Sequence, residues 1–75
     1  MKELVEYIAK SLVNAPDQVV VTEETSSDGI ILRLQVAEED KGRVIGKQGR
    51  VARAMRTLLR VAAVRKGTRV QLDII

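Results

Sequence analysis

Apolar residues recur along this chain at two different periods, and each change of period marks an element. Leu4, Val5, Ile8, Ala9 and Leu12 follow three- to four-residue spacing with charged residues between them, the pattern of an amphipathic helix. Asn14-Ala15-Pro16-Asp17 should end it, because proline disfavours a helical conformation in the residue before it. Val19-Val20-Val21-Thr22 is β-branched and predicts a strand. Thr25-Ser26-Ser27-Asp28-Gly29 is a cluster of turn residues. Over residues 30–36 the chain alternates, with Leu32, Leu34 and Val36 on one face and Arg33 and Gln35 on the other. That is a half-buried strand, and the short turn before it makes the pair an antiparallel hairpin.

Glu38-Glu39-Asp40 then places acids where a helix N-terminus favours them. A short helix through Ile45 should follow, ended by Gly46 as a C-terminal glycine. A longer helix is expected from about residue 49 to 64. Its wheel gathers Val51, Ala54, Met55, Leu58, Val61 and Ala62 on one apolar face, with Arg53, Arg56 and Arg60 together opposite. Lys66-Gly67 closes it, and Val70, Leu72 and Ile74 alternate with Arg69, Gln71 and Asp73 in a last half-buried strand. The order is α-β-β-α-α-β. Returning after a two-helix crossover, the last strand should lie parallel to the one before the crossover, with a right-handed connection. The expected fold is therefore a two-layer α+β domain over residues 1–75, with a three-stranded mixed sheet covered on one face by helices.

Composition narrows the function. A chain of 75 residues buries only about 60% of its unfolded surface, so helix packing and self-association are the available sources of extra support. With neither cysteine nor histidine, there are no disulfides, no cysteine metal sites and no obvious activated nucleophile or general base, so an enzyme is not expected and no cofactor is implied. No apolar run is long enough for a signal peptide or membrane span, and a cytoplasmic location is expected. Charge divides sharply along the chain. Residues 1–40 hold three basic residues against nine acids, a net of −6, whereas residues 41–75 hold ten against Asp73 alone, a net of +9. A basic half of this kind points either to an anionic partner, with nucleic acid first, or to a face balanced within the fold by the acidic half.

The candidate chemistry lies in that basic half. In Gly42-Arg43-Val44-Ile45-Gly46-Lys47-Gln48-Gly49-Arg50, two glycines bracket a lysine and a glutamine at a junction between helices. Neither glycine carries a Cβ, so backbone there can approach a ligand closely. The helix that follows brings free N–H groups and the positive end of its dipole to the same place, which suits a phosphate. A glycine turn that only joined packed helices would not need two exposed polar residues between its glycines.

Val44-Ile45-Gly46-Lys47-Gln48-Gly49, in this helix–loop–helix context, resembles the signature of the KH (K-homology) domain and its GXXG loop. The element order resembles the type II KH arrangement, and the single-domain length is similar to that of the small bacterial KH proteins of the KhpA (YlqC) family. The resemblance implies a single-stranded RNA ligand of about four nucleotides clamped at its backbone by the loop. It implies that Gly46 and Gly49 allow close approach and that Lys47 and Gln48 face phosphates; Arg50 and Arg43, close to the loop in sequence, are further candidates for phosphate contacts. Val44, Ile45 and Val51 would form an apolar floor under the bases, joined by Leu32 or Leu34. It further implies RNA chaperone activity, a second KH-containing protein as partner, and a part in cell-shape and cell-wall homeostasis. A single aromatic residue, Tyr7, fits a KH groove better than an RRM or OB platform, both of which stack bases on rings.

Two other functions compete. The chain could be a protein-interaction scaffold or dimerisation partner with weak RNA binding. Two helices around a glycine turn also describe a helix-turn-helix, although that motif presents a side-chain-rich recognition helix instead of a glycine-bracketed loop. A P-loop is excluded, because Gly46-Lys47-Gln48-Gly49 lacks both the length and the Gly-Lys-Ser/Thr ending.

Overall fold

The expected order of elements is found in the computed structural model of the protein, which describes residues 1–75. Helix α1 is Lys2–Leu12, strands β1 and β2 are Val20–Ser26 and Gly29–Gln35, helices α2 and α3 are Lys41–Ile45 and Arg50–Lys66, and strand β3 is Val70–Ile74. Single turns of 3-10 helix stand at Pro16–Gln18, Glu38–Asp40 and Lys47–Gly49. The sheet runs β1-β2-β3, with β1 antiparallel to β2 and β3 parallel to it, as the crossover requires. This is the arrangement of a type II KH domain.

Central β2 carries the core. Leu32 and Leu34 are fully buried, on the face that their alternation assigns to the interior. Val21 pairs with Leu34 and Leu72 with Leu32, so all three strands feed one apolar layer. Val5 and Ala9 of α1, Val44 of α2, and Met55 and Leu59 of α3 close over it. Each of these valine, leucine and methionine side chains contributes about 1.5–3 kcal/mol when fully buried. The other face of the sheet is polar, and there Arg33 donates to Glu24 at 2.8 Å. The Glu24 hydrogen bond and charge raise the Arg33 pKa above its ordinary value.

The structure corrects the sequence reading in three places. First, β1 extends through Thr25 and Ser26, which pair with Ile30 and Gly29 and leave only Ser27 and Asp28 to turn the hairpin. Polar residues at a solvent-facing edge satisfy the ladder as well as apolar ones do. Second, Asp40 does not cap the helix that follows it. Its carboxylate is fully buried and accepts the backbone N–H groups of Asn14 at 3.2 Å and Ala15 at 3.1 Å. The helix-stopping segment after α1 is thereby stapled to the start of α2. Third, α3 is rotated from the expected wheel. Its buried residues are Ala52, Met55, Leu59 and Ala63, while Leu58 and Val61 remain 51% and 52% exposed.

Candidate nucleic-acid interface

At the end of α2, Gly46 turns to φ 78 and ψ 169 while its N–H still donates to the Gly42 carbonyl at 2.9 Å. Only glycine enters that region without strain. Internal packing needs this glycine as well, because a Cβ on it would stand 2.5 Å from Val51 Cγ2. Gly49 differs. Its φ is 75, but a Cβ there would meet nothing within 4 Å. Gly46 therefore lets α2 and α3 close on one another, and the open space that a ligand could use is at Gly49. The two ends of the tetrad are joined by the Gly49 N–H, which donates to the Gly46 carbonyl at 3.1 Å.

Gln48 is the only non-glycine residue with positive φ, at 57. A left-handed conformation costs a side-chain-bearing residue roughly 1–2 kcal/mol. Three of the four tetrad residues have positive φ, and the Lys47 and Gln48 side chains are exposed. Helix α3 begins directly after the tetrad, with Gly49 as its N-cap and no side chain capping it. Its first-turn amides and positive dipole end face the region of the loop.

Arg50 and Arg43 flank the tetrad and are exposed, and Arg43 Nε lies 3.5 Å from the Asp40 carboxylate. The aliphatic residues divide. Val44 is fully buried and so belongs to the core, as do Leu32 and Leu34, which leaves none of the three with surface for a base. Ile45 is 40% exposed, and Val51 is partly buried against Gly46. A floor beneath a bound base would therefore have to come from Ile45 and Val51.

Most of the charge in this half is not paired with the acidic half. Of the ten basic residues after position 40, only Lys41 and Arg43 have a carboxylate within 4.0 Å, from Glu38 at 3.1 Å and Asp40 at 3.5 Å. Both pairs are local, so the remaining cations of the loop, α3 and the α3–β3 turn stand unneutralised. Two of the three arginines on the polar side of α3 hold backbone carbonyls. Arg56 donates through Nε and Nη2 to Leu72 at 3.3 and 3.2 Å, and Arg53 reaches back to Gln48 at 3.4 Å. The helix wheel placed Arg53, Arg56 and Arg60 together opposite the apolar face. For Arg53, a place five residues after Gln48 was the only sign of a closer role.

A groove of about 270 Å³ runs between α3 and the free edge of β3, lined by Arg56, Leu59, Arg60, Val70, Gln71 and Leu72. Two larger hollows surround the Ser27-Asp28 turn and Arg69. They lie at the far end of α3, which at 17 residues is about 25 Å long, and they share the acidic Asp28 with a single basic residue, Arg69. For an anionic ligand the smaller groove and the loop are the better site. No group of three or more His, Cys, Asp or Glu side chains is arranged to hold a metal ion, and no helix is long and apolar enough to cross a membrane.

Comparison with known proteins agrees with this geometry. The family model described as KhpA/KhpB, KH domain, matches residues 2–74. The chain is 57% identical over 75 residues to the RNA-binding protein KhpA of Clostridium acetobutylicum, with 100% of both chains covered. It is 53% identical, again over the full length of both chains, to the proteins of that name from Clostridium perfringens and Caldanaerobacter subterraneus subsp. tengcongensis. No solved structure gives a significant match. On its fold, its glycine-bracketed loop and these full-length likenesses, the chain belongs to the KhpA/KhpB family of KH-domain proteins.

Proposed function

We propose that this protein is a non-catalytic binder of single-stranded RNA that grips the phosphate backbone at residues 46–49. The observation that carries the reading is a glycine loop with exposed Lys47 and Gln48, set at the start of a long helix that no side chain caps and whose cations lack acidic partners. Backbone approaches at Gly49, Lys47 and Gln48 meet phosphates, and Arg50 and Arg43 supply further positive charge. From the loop, bases would pass over Ile45 and Val51 toward the groove between α3 and β3. The relatives named above as RNA-binding proteins support the choice of ligand. One short site gives little sequence discrimination, which suits the RNA-chaperone role implied by the family likeness.

The test is a titration of a fluorescent, unstructured RNA with the protein and with a Lys47→Asp/Gln48→Asp variant across a salt series. Binding in the micromolar to submillimolar range is expected for the native chain. The log–log salt slope should be about −2 to −3, from roughly −0.7 per phosphate over three or four phosphates. The variant should remain folded, since both side chains are exposed and aspartate tolerates the left-handed region at position 48. Loss of binding by the folded variant supports the clamp; undiminished binding would overturn it.

A second reading concerns pairing, as a homodimer or with another KH-containing protein, and the rotation of α3 favours it. Leu58 and Val61, one turn apart, turn away from the core with about half their surface in water. Joining two short grooves would raise affinity without any new RNA contact. Sedimentation velocity on the protein and on a Leu58→Asp/Val61→Asp variant decides the matter. A dimer that dissociates in the variant supports pairing through α3, and a monomer in both removes the homodimer.

A further inference from the structure

We infer that Arg53 is a positioning residue of the loop, not one of its phosphate ligands. Side chains on a helix lean toward its N-terminus, and Arg53, early in α3, reaches back so that Nη2 donates to the Gln48 carbonyl at 3.4 Å. That carbonyl is the only hydrogen-bond acceptor that the Arg53 side chain engages, and no carboxylate lies within 4.0 Å of its guanidinium. The peptide it holds belongs to Gln48, the one side-chain-bearing residue in the left-handed region. Two consequences follow for the site proposed above, on which this inference rests. The guanidinium stabilises a backbone conformation that Gln48 would otherwise leave, and with it the outward aim of the Lys47 and Gln48 side chains. It also occupies and offsets the partial negative charge of a carbonyl that would oppose an approaching phosphate. Arg56 cannot substitute for it, since its guanidinium is engaged at Leu72 on the edge of β3.

Positioning and phosphate contact differ in what they do to salt dependence. The variants Arg53→Ala, Gln48→Gly and the two combined, titrated with unstructured fluorescent oligouridylate, separate them. Glycine takes the left-handed conformation without assistance, so the brace should matter only while Gln48 is present. Arg53→Ala alone should weaken binding about three- to tenfold, the range of one hydrogen bond, with the salt slope unchanged. In the Gln48→Gly background it should cost less than about twofold. Without RNA, the ¹⁵N order parameters of Gln48 and Gly49 should fall in Arg53→Ala. A salt slope reduced by about 0.7 with equal cost in both backgrounds would make Arg53 a phosphate ligand and overturn the inference. Unchanged affinity together with unchanged loop order would overturn it as well. If the Lys47→Asp/Gln48→Asp variant binds like the native chain, the clamp itself fails, and the order parameters measured without RNA still decide whether Arg53 braces the loop.

Discussion

Replacing Asp40 tests how the loop is held in place, because its carboxylate joins two segments far apart in sequence. Both oxygens accept backbone N–H groups, from Asn14 and Ala15, and the residue itself has no exposed surface. Alanine at this position would leave both donors without an acceptor. Each such donor costs about 1–3 kcal/mol when buried, and these two are only partly buried, so a total of about 2–4 kcal/mol is expected. Arg43, half exposed, loses its partner at little further cost. For 75 residues, total stability is on the order of 4–11 kcal/mol at 0.05–0.15 kcal/mol per residue, so the loss takes a large share of it. Asp40→Asn keeps one carbonyl oxygen and should cost about half as much. The assay is thermal and urea denaturation followed by circular dichroism. The expected order is native, then Asn, then Ala, with Asp40→Ala lowered on the order of 10–25 °C. A melting point for Asp40→Ala within about 4 °C of native, or Asn as damaging as Ala, would refute the staple.

Further predictions rest on other parts of the fold. Gly46→Ala combines a left-handed penalty with a clash against Val51 and should cost about 2–5 kcal/mol in urea denaturation. Gly49→Ala, with open space around it, should cost only about 1–2 kcal/mol; equal costs would contradict the division of roles between the glycines. Leu59→Ala should lose about 2–5 kcal/mol, whereas Leu58→Ala, half exposed, should stay under about 1 kcal/mol. The reverse order would restore the wheel expected from sequence. The first-turn backbone N–H of Glu3, then the terminal ammonium, lowers the Glu3 pKa below its usual value. Its contribution should be present at neutral pH and fade as pH falls through that lowered value, so the difference in melting point between native and Glu3→Gln should shrink as the solution is acidified below the ordinary glutamate range.

Several of these sites could be read from the sequence and others could not, for identifiable reasons. Alternation at Leu32, Leu34 and Leu72 placed the sheet and its buried face correctly, because period two leaves only one choice of face once one residue is inside. The glycines at 46 and 49 gave the loop. Helix α3 was misread because Val51, Ala52, Ala54, Met55, Leu58, Leu59, Val61, Ala62 and Ala63 spread over more than half the wheel. With two apolar faces available, the position of the sheet decides which is buried, and the pattern within the helix does not contain that information. Asp40 was misread because a local role at a helix start was sufficient, while its true donors lie 25 and 26 residues away. The same limit applies to Val44, whose neighbours in sequence are surface residues of the site but whose side chain points inward.

The most direct test of the RNA clamp is an ¹⁵N-resolved NMR titration with a short unstructured oligoribonucleotide. Shifts should concentrate at residues 43–51 and along the groove between α3 and β3, with the turn at Ser27 and Asp28 silent. Shifts centred on that turn or on the open face of the sheet, or no shifts with RNA at millimolar concentration, would contradict the clamp.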